Sequence, residues 1–273
     1  MDLNGRKKAI PRGIFGLLCG VLVCLQGCAG SEKVPEGPSV EKGTITFVEQ
    51  VSGDYPALEE LRETDVEGAD NPAGEMQEVY ASAMVKVRAG NLSGSGVIIA
   101  SDQKYLWIAT ATHVLEQLSQ GDSVKVTFAD GWEVRTQKVE NSESQDLSIL
   151  RVNREALVEQ SEGTFRDHGQ EYRRAVLSQE AFDSARPGDL VISMGSRSGA
   201  GEDAYAGVIL QDYVYLEDFN AYMILAEVAV TPGMSGGGLF DSRGRLLGIL
   251  CGVSEDGEVA VCPILSLLTM ELK

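Results

Sequence analysis

The sequence predicts an all-β fold. Short runs rich in Val, Ile, Leu and aromatic residues recur from about residue 79 onward, and glycine or polar turn residues bound each of them. Asp-Gly pairs at Asp130-Gly131 and Asp256-Gly257 sit between such runs as hairpin signals. In order, the predicted strands are Ala83–Arg88, Gly96–Ala100, Leu106–Ala109, Ser123–Ala129, Glu133–Val139 and Leu147–Val152. A second set follows at Leu190–Met194, Val208–Tyr215, Met223–Val230, Leu246–Gly252 and Glu258–Cys262. Between the sets, residues 154–171 are polar and read as an inserted surface loop, partly helical, with His168 as a solvated loop residue. Residues 264–273 fit a short C-terminal helix.

What precedes this block is of a different texture. Arg6, Lys7, Lys8 and Arg12 form a cationic start, and Ile14–Leu25 is apolar but shorter than the roughly 20 residues that span a bilayer as a helix. That order is the pattern of a secretory signal peptide, expected over residues 1–27. Leu25-Gln26-Gly27-Cys28 resembles a bacterial lipobox, which implies cleavage before Cys28, its lipidation, and a membrane-anchored extracytoplasmic protein. An ordinary signal peptide with an incidental cysteine is the other reading. Residues 29–76 hold 12 acidic and three basic residues with four scattered prolines. Residues 28–77 therefore read as an acidic, flexible tether, and 78–273 as the folded domain.

Composition excludes some functions. The formal net charge is -18, the wrong sign for a nucleic-acid footprint. No HExxH, paired CxxC or phosphate-cradling loop is present, so no metal and no cofactor is expected.

Three segments carry chemistry together. His113 follows the strand Leu106–Ala109, Asp146 opens the strand Leu147–Val152, and Ser235 lies in the glycine-rich run Thr231-Pro232-Gly233-Met234-Ser235-Gly236-Gly237-Gly238. A serine hydroxyl is a weak nucleophile that needs a base, which a neutral histidine supplies. A carboxylate on the far ring nitrogen fixes its tautomer. Backbone N–H groups of a glycine-rich turn, here those of Gly233 and Ser235, can stabilise the oxyanion.

In these segments, and in Gly94–Ile99 and Leu177–Gly195, the chain resembles the trypsin-like serine peptidases, and within them the HtrA/Deg branch without a PDZ domain. The order His, Asp, Ser is that of this family. The resemblance implies two packed six-stranded β-barrels with the triad in the cleft between them, and polypeptide substrates that pair with an edge near Leu250–Val253. It also implies a specificity pocket near Ala229, Gly252, Ala260 and Val261, whose small or apolar lining favours a small aliphatic residue. Met234 departs from the acid that digestive trypsins place before the nucleophile. Two readings of the cleft are open: endopeptidase catalysis, or a weakly active or inactive lipoprotein that binds unfolded or partner polypeptides.

Cys251 and Cys262 flank the Asp256-Gly257 turn signal. If those two residues alone form the turn, the cysteines face each other across the ladder, within disulfide range. A reduced pair filling core space is the other reading.

Overall fold

The computed structural model describes residues 16–17, 55–118, 122–142, 145–161, 164–196 and 202–268 of the 273-residue chain. Cys28, the cleavage site before it and the tether as far as residue 54 lie outside the described residues.

Among the described residues, fourteen strands of four residues or more build the fold. The first six are β1 (Met84–Ala89), β2 (Leu92–Ser101), β3 (Tyr105–Thr110), β4 (Val124–Phe128), β5 (Glu133–Asn141) and β6 (Ser148–Asn153). They pair antiparallel in the order β1-β2-β3-β6-β5-β4, and β4 returns to β1 to close a barrel. Period-two alternation explains the filling: Val85 and Val87 of β1, Ile98 of β2, Leu106 and Ile108 of β3 and Leu150 of β6 all point into one buried cluster.

A hairpin of β7 (Val158–Ser161) and β8 (Thr164–Asp167) leads on to the second set. This comprises β9 (Leu190–Ser196), β10 (Glu202–Leu216), β11 (Ala221–Glu227), β12 (Gly238–Asp241), β13 (Arg245–Val253) and β14 (Glu258–Pro263). These pair antiparallel in the order β13-β12-β9-β10-β11-β14, and β13 also pairs with β14, which joins the two ends. Val191, Ile209, Ile224, Leu239 and Leu250 fill this second core. A third cluster, with Met84, Val97 and Ile149 from one set and Met194, Leu225 and Ile249 from the other, welds the two barrels face to face. The all-β expectation holds. The sequence hid β12, because its Gly-Leu-Phe-Asp run adjoins the glycine-rich loop, and β7 and β8 lie in the stretch read as a partly helical loop.

Three expectations need correction. First, residues 55–77 are packed rather than part of a solvated tether: Tyr55, Leu58, Leu61, Val66 and Met76 are buried. Leu58 N–H donates to Ser101 Oγ of β2 at 2.6 Å and Val66 N–H to the Ser242 carbonyl, beside β12, at 2.8 Å, so the segment straps one barrel to the other. Helix α1 (Pro72–Tyr80) follows, with the Asn71 side chain capping Gly74 N–H and Pro72 in the first turn. Met76 and Tyr80, one turn apart, supply its buried face. A few large apolar residues in an acidic stretch suffice for docking, and composition averages them away.

Second, the polar insert is ordered. His168 is 4% exposed; its Nδ1 lies 2.5 Å from Asp130 Oδ2 and its ring stacks on Trp132 at 4.1 Å. Tyr172 donates its hydroxyl to Asp130 Oδ1 at 2.8 Å. Burial raises the Asp130 carboxyl, but the bonds from His168, Trp132 N–H and Tyr172 outweigh it and hold it below its ordinary value.

Third, the cysteine register is wrong. Gly257, at φ 85, is the left-handed third residue of a three-residue loop: its N–H donates to Ser254 O at 3.0 Å, and Ser254 N–H to Glu258 O at 2.9 Å. A bulge between Leu250 and Gly252 then shifts the ladder again, placing Cys262 opposite Ile249 and leaving Cys251 as the extra residue. Both thiols are free and buried. Asp-Gly serves two- and three-residue loops equally well, and an interior bulge leaves no local mark.

Candidate active site

The first barrel presents His113 and Asp146. After β3 the chain turns at Ala111 into a short 3-10 helix, Thr112–Leu115, pinned because Val114 and Leu115 drop into the barrel core. Asp146 stands on a tight reversal before β6, where Leu147 N–H donates to Gln145 O at 2.8 Å. Its two oxygens grip one residue: Oδ1 accepts His113 N–H at 2.9 Å, and Oδ2 lies 2.6 Å from His113 Nδ1. A carboxylate is acceptor only, so Nδ1 carries the proton and Nε2 is the basic nitrogen. Thr112 Oγ1 and Ser148 Oγ, 2.8 Å apart, tie the two segments again.

The second barrel presents the glycine-rich loop that carries Ser235, between β11 and β12. Met234 N–H donates to Thr231 O at 3.1 Å, with Pro232 second and Gly233, at φ 103, third, the arrangement of a type II turn. Gly236 also has a positive φ, 83°, and a methyl there would sit 2.3 Å from the Ser95 carbonyl. Where digestive trypsins use an acid, the Met234 side chain is buried in the second core, so an apolar anchor replaces an ionic one. Ser235 is buried, and its Oγ has no hydrogen-bond partner, so its bond to His113 is not made in this structure. Among the described residues, neither Gly233 N–H nor Ser235 N–H donates to a protein acceptor. Buried donors left unpaired are rare, and these two flank the buried Met234 in one loop.

Sequence reasoning missed the groups that join the two halves. Ser95, on β2, donates through its N–H to Ser235 O at 2.7 Å and through Oγ to Gly233 O at 2.6 Å, and accepts Ser196 N–H at 2.7 Å. Asp203, on β10, accepts the Thr231 hydroxyl at 2.9 Å. The two cysteines lie beneath the Asp146 turn, Cys251 Sγ at 3.5 Å from Asp146 O and Cys262 Sγ at 3.1 Å from Gln145 Oε1. Burial pushes the Cys262 thiol up to about 12 and Cys251 well above its ordinary value, so both stay protonated. Only the Gly94–Gly96 run gave a local signal, and nothing in it pointed to a hydroxyl reaching the other barrel.

The predicted pocket residues gather only in part. Gly252 pairs with Ala260 across β13 and β14. Ala260 and Val261 are both fully buried and alternate to opposite faces, one in the interbarrel cluster and one in the second core, so they cannot line one pocket together. Ala229 is exposed, and its carbonyl is held by Ser193 Oγ at 2.8 Å. β12 stops pairing at Ile249, and beyond it the backbone of residues 16–17 pairs antiparallel with Gly252 and Val253. That stretch of edge accepts an extended strand.

The trypsin-like peptidase domain family matches residues 94–249. The chain is 30% identical, over 57% of its length and 27% of the relative's, to a probable periplasmic serine endoprotease DegP-like of Bartonella henselae. It is 26% identical, over 61% of its length and 36% of the relative's, to the putative serine protease HhoB of Synechocystis. It thus spans about a third of the length of these curated relatives. An HtrA-type protease solved with a decapeptide shares the fold, with TM-score 0.55 and 21% identity over 71% of this chain and 64% of the other. The chain belongs to the trypsin-like peptidase domain family.

Proposed function

We propose that this protein is a serine endopeptidase that hydrolyses peptide bonds of extracytoplasmic polypeptides through Ser235, His113 and Asp146. The observation that carries this reading is the His113 Nδ1–Asp146 Oδ2 bond of 2.6 Å, with a buried, unbonded Ser235 hydroxyl on a glycine turn whose Gly236 packs against Thr110 and Ala111, just before His113. A substrate strand pairs with the Gly252–Val253 edge. His113 Nε2 takes the Ser235 proton as Oγ attacks the scissile carbonyl, and the N–H groups of Gly233 and Ser235 receive the oxyanion. The imidazolium, stabilised by Asp146, then protonates the leaving amine, which departs and leaves an acyl-enzyme on Ser235. Water, deprotonated by the same nitrogen, attacks the ester and releases the acid.

The names of the relatives, periplasmic serine endoproteases among them, support an extracytoplasmic location in a bacterial envelope. Anchoring through lipidated Cys28 extends that reading. Cys28→Ser releases the protein from the membrane fraction; a wild-type chain whose mature amino terminus is not Cys28 ends it.

The unmade Ser235–His113 bond favours a second reading, a cleft that binds polypeptides without cleaving them. Catalytic hydrogen bonds often tighten only when substrate binds, and fluorophosphonate labelling and turnover of an unfolded protein separate the two readings. The endopeptidase reading requires labelling of wild type, none of Ser235→Ala, and loss of turnover on the order of 10⁴-fold in Asp146→Asn, which turns the histidine to the wrong tautomer. Equal turnover by wild type and Ser235→Ala sinks it.

A further inference from the structure

The geometry points to Asp203 as a positioning residue that, through the hydroxyl of Thr231, holds the turn bearing the oxyanion donors in its working orientation. This rests on the serine-peptidase reading above and adds a part to it.

Asp203 stands on β10 opposite Gly195 of β9, and is 6% exposed. A carboxylate so far from water needs donors aimed at it. Its Oδ2 accepts the Thr231 hydroxyl at 2.9 Å and the Tyr205 hydroxyl at 3.3 Å. Thr231 is the first residue of the turn whose third is Gly233. Every polar group of Thr231 is committed: N–H to Met234 Sδ at 3.2 Å, carbonyl to Met234 N–H at 3.1 Å, hydroxyl to Asp203.

That commitment matters because the turn sequence is ambivalent. Types I and II share their end positions and differ by a flip of the central peptide, here Pro232–Gly233. Proline fits the second place of both, and glycine the third place of both. A flip reverses Gly233 N–H and removes one oxyanion donor. Since Pro232 and Gly233 permit either state, neighbouring contacts must set the population. Ser95 Oγ holds the downstream end at the Gly233 carbonyl, and Asp203 holds the upstream end at Thr231. The acid that digestive trypsins carry before the nucleophile is Met234 here, so β10 supplies the carboxylate that braces this turn.

The test uses Asp203→Ala, Thr231→Val and Thr231→Ser, assayed on a fluorogenic peptide built on a cleavage site mapped in denatured casein. Shifting the turn away from the state that presents this donor is expected to lower kcat on the order of 10- to 100-fold, short of the roughly 10²–10³-fold cost of removing such a donor outright, with KM changed less than about threefold. Affinity for a peptidyl boronate, which needs the oxyanion donors, falls in parallel. Binding of the uncleaved peptide, measured on a Ser235→Ala background, stays constant. Thr231→Val matches Asp203→Ala, the double variant is no worse than either, and Thr231→Ser recovers wild-type turnover. Thr231→Val removes one hydroxyl at constant shape, so it carries the test even where Asp203→Ala fails to fold. Wild-type kcat in Thr231→Val overturns the proposal, as does a loss shared equally by kcat and uncleaved-peptide binding. Turnover that survives Ser235→Ala overturns instead the peptidase reading beneath it.

Discussion

Ser95, on the first barrel, gives its hydroxyl to the carbonyl of Gly233 on the second at 2.6 Å. The same oxygen accepts Ser196 N–H, and Ser95 N–H binds Ser235 O, so one fully buried serine joins β2, β9 and the Ser235 loop. The two barrels are therefore tied together at the loop that carries Ser235.

Ser95→Ala leaves the Gly233 carbonyl and the Ser196 N–H without this partner in a site closed to water. Each such loss costs about 1–3 kcal/mol. We expect a lower urea midpoint with unchanged m-value, and a fall in kcat larger than any change in KM.

Cys251 and Cys262 are expected to remain thiols. The bulge at Cys251 removes the facing arrangement a bridge needs, and both side chains are closed to solvent. Their raised pKa values keep the reactive thiolate scarce near neutral pH. Neither should react with N-ethylmaleimide in the native protein without reductant, and both should react after unfolding. A mass two hydrogens lower in the unreduced sample would show the bridge instead.

Residues 55–77 belong to the folded unit. A chain beginning at residue 78 loses the burial of Tyr55, Leu58, Leu61, Val66 and Met76. Burying such a side chain stabilises by about 1.5–3 kcal/mol, so the loss exceeds about 3 kcal/mol. At about 2–4 °C for each kcal/mol in a domain of this size, Tm falls by about 6 °C or more. A chain beginning at residue 55 keeps its Tm. Equal melting of the two would show the segment to be dispensable.

Asp130 gives the fold an acid-sensitive support. Its folded-state carboxyl is held below the ordinary value, so it stabilises the protein above its unfolded pKa of about 3.9 and stops doing so as pH falls through the folded value. Asp130→Asn should lower the urea midpoint at pH 7 and differ less from wild type at pH 3. A gap that widens with acid would reverse the assignment.

The barrel strands other than β12 were legible in the sequence, because alternation and glycine punctuation are local consequences of the pleat. His113, Asp146 and Ser235 each announced themselves through short flanking patterns, and the structure brings His113 and Asp146 into contact. The contributions of Ser95, Asp203 and Thr231 were not legible. Each is an ordinary polar residue whose role depends on a partner between 28 and 138 residues away.

The cysteines mark the boundary most clearly. Their place on neighbouring strands around an Asp-Gly turn follows from the sequence; their register does not. Loop length and an interior bulge are chosen by how well whole strands pack, not by the residues at the turn. The same holds for His168, a polar residue in a polar stretch that burial under Trp132 and Asp130 makes structural. The sequence by itself determined the all-β class, the order of most elements and the place of His113, Asp146 and Ser235 beside them, because propensity and spacing act along the chain. The tertiary structure alone decided which side chains cross from one barrel to the other, because those hydrogen bonds exist only once both cores have closed around them.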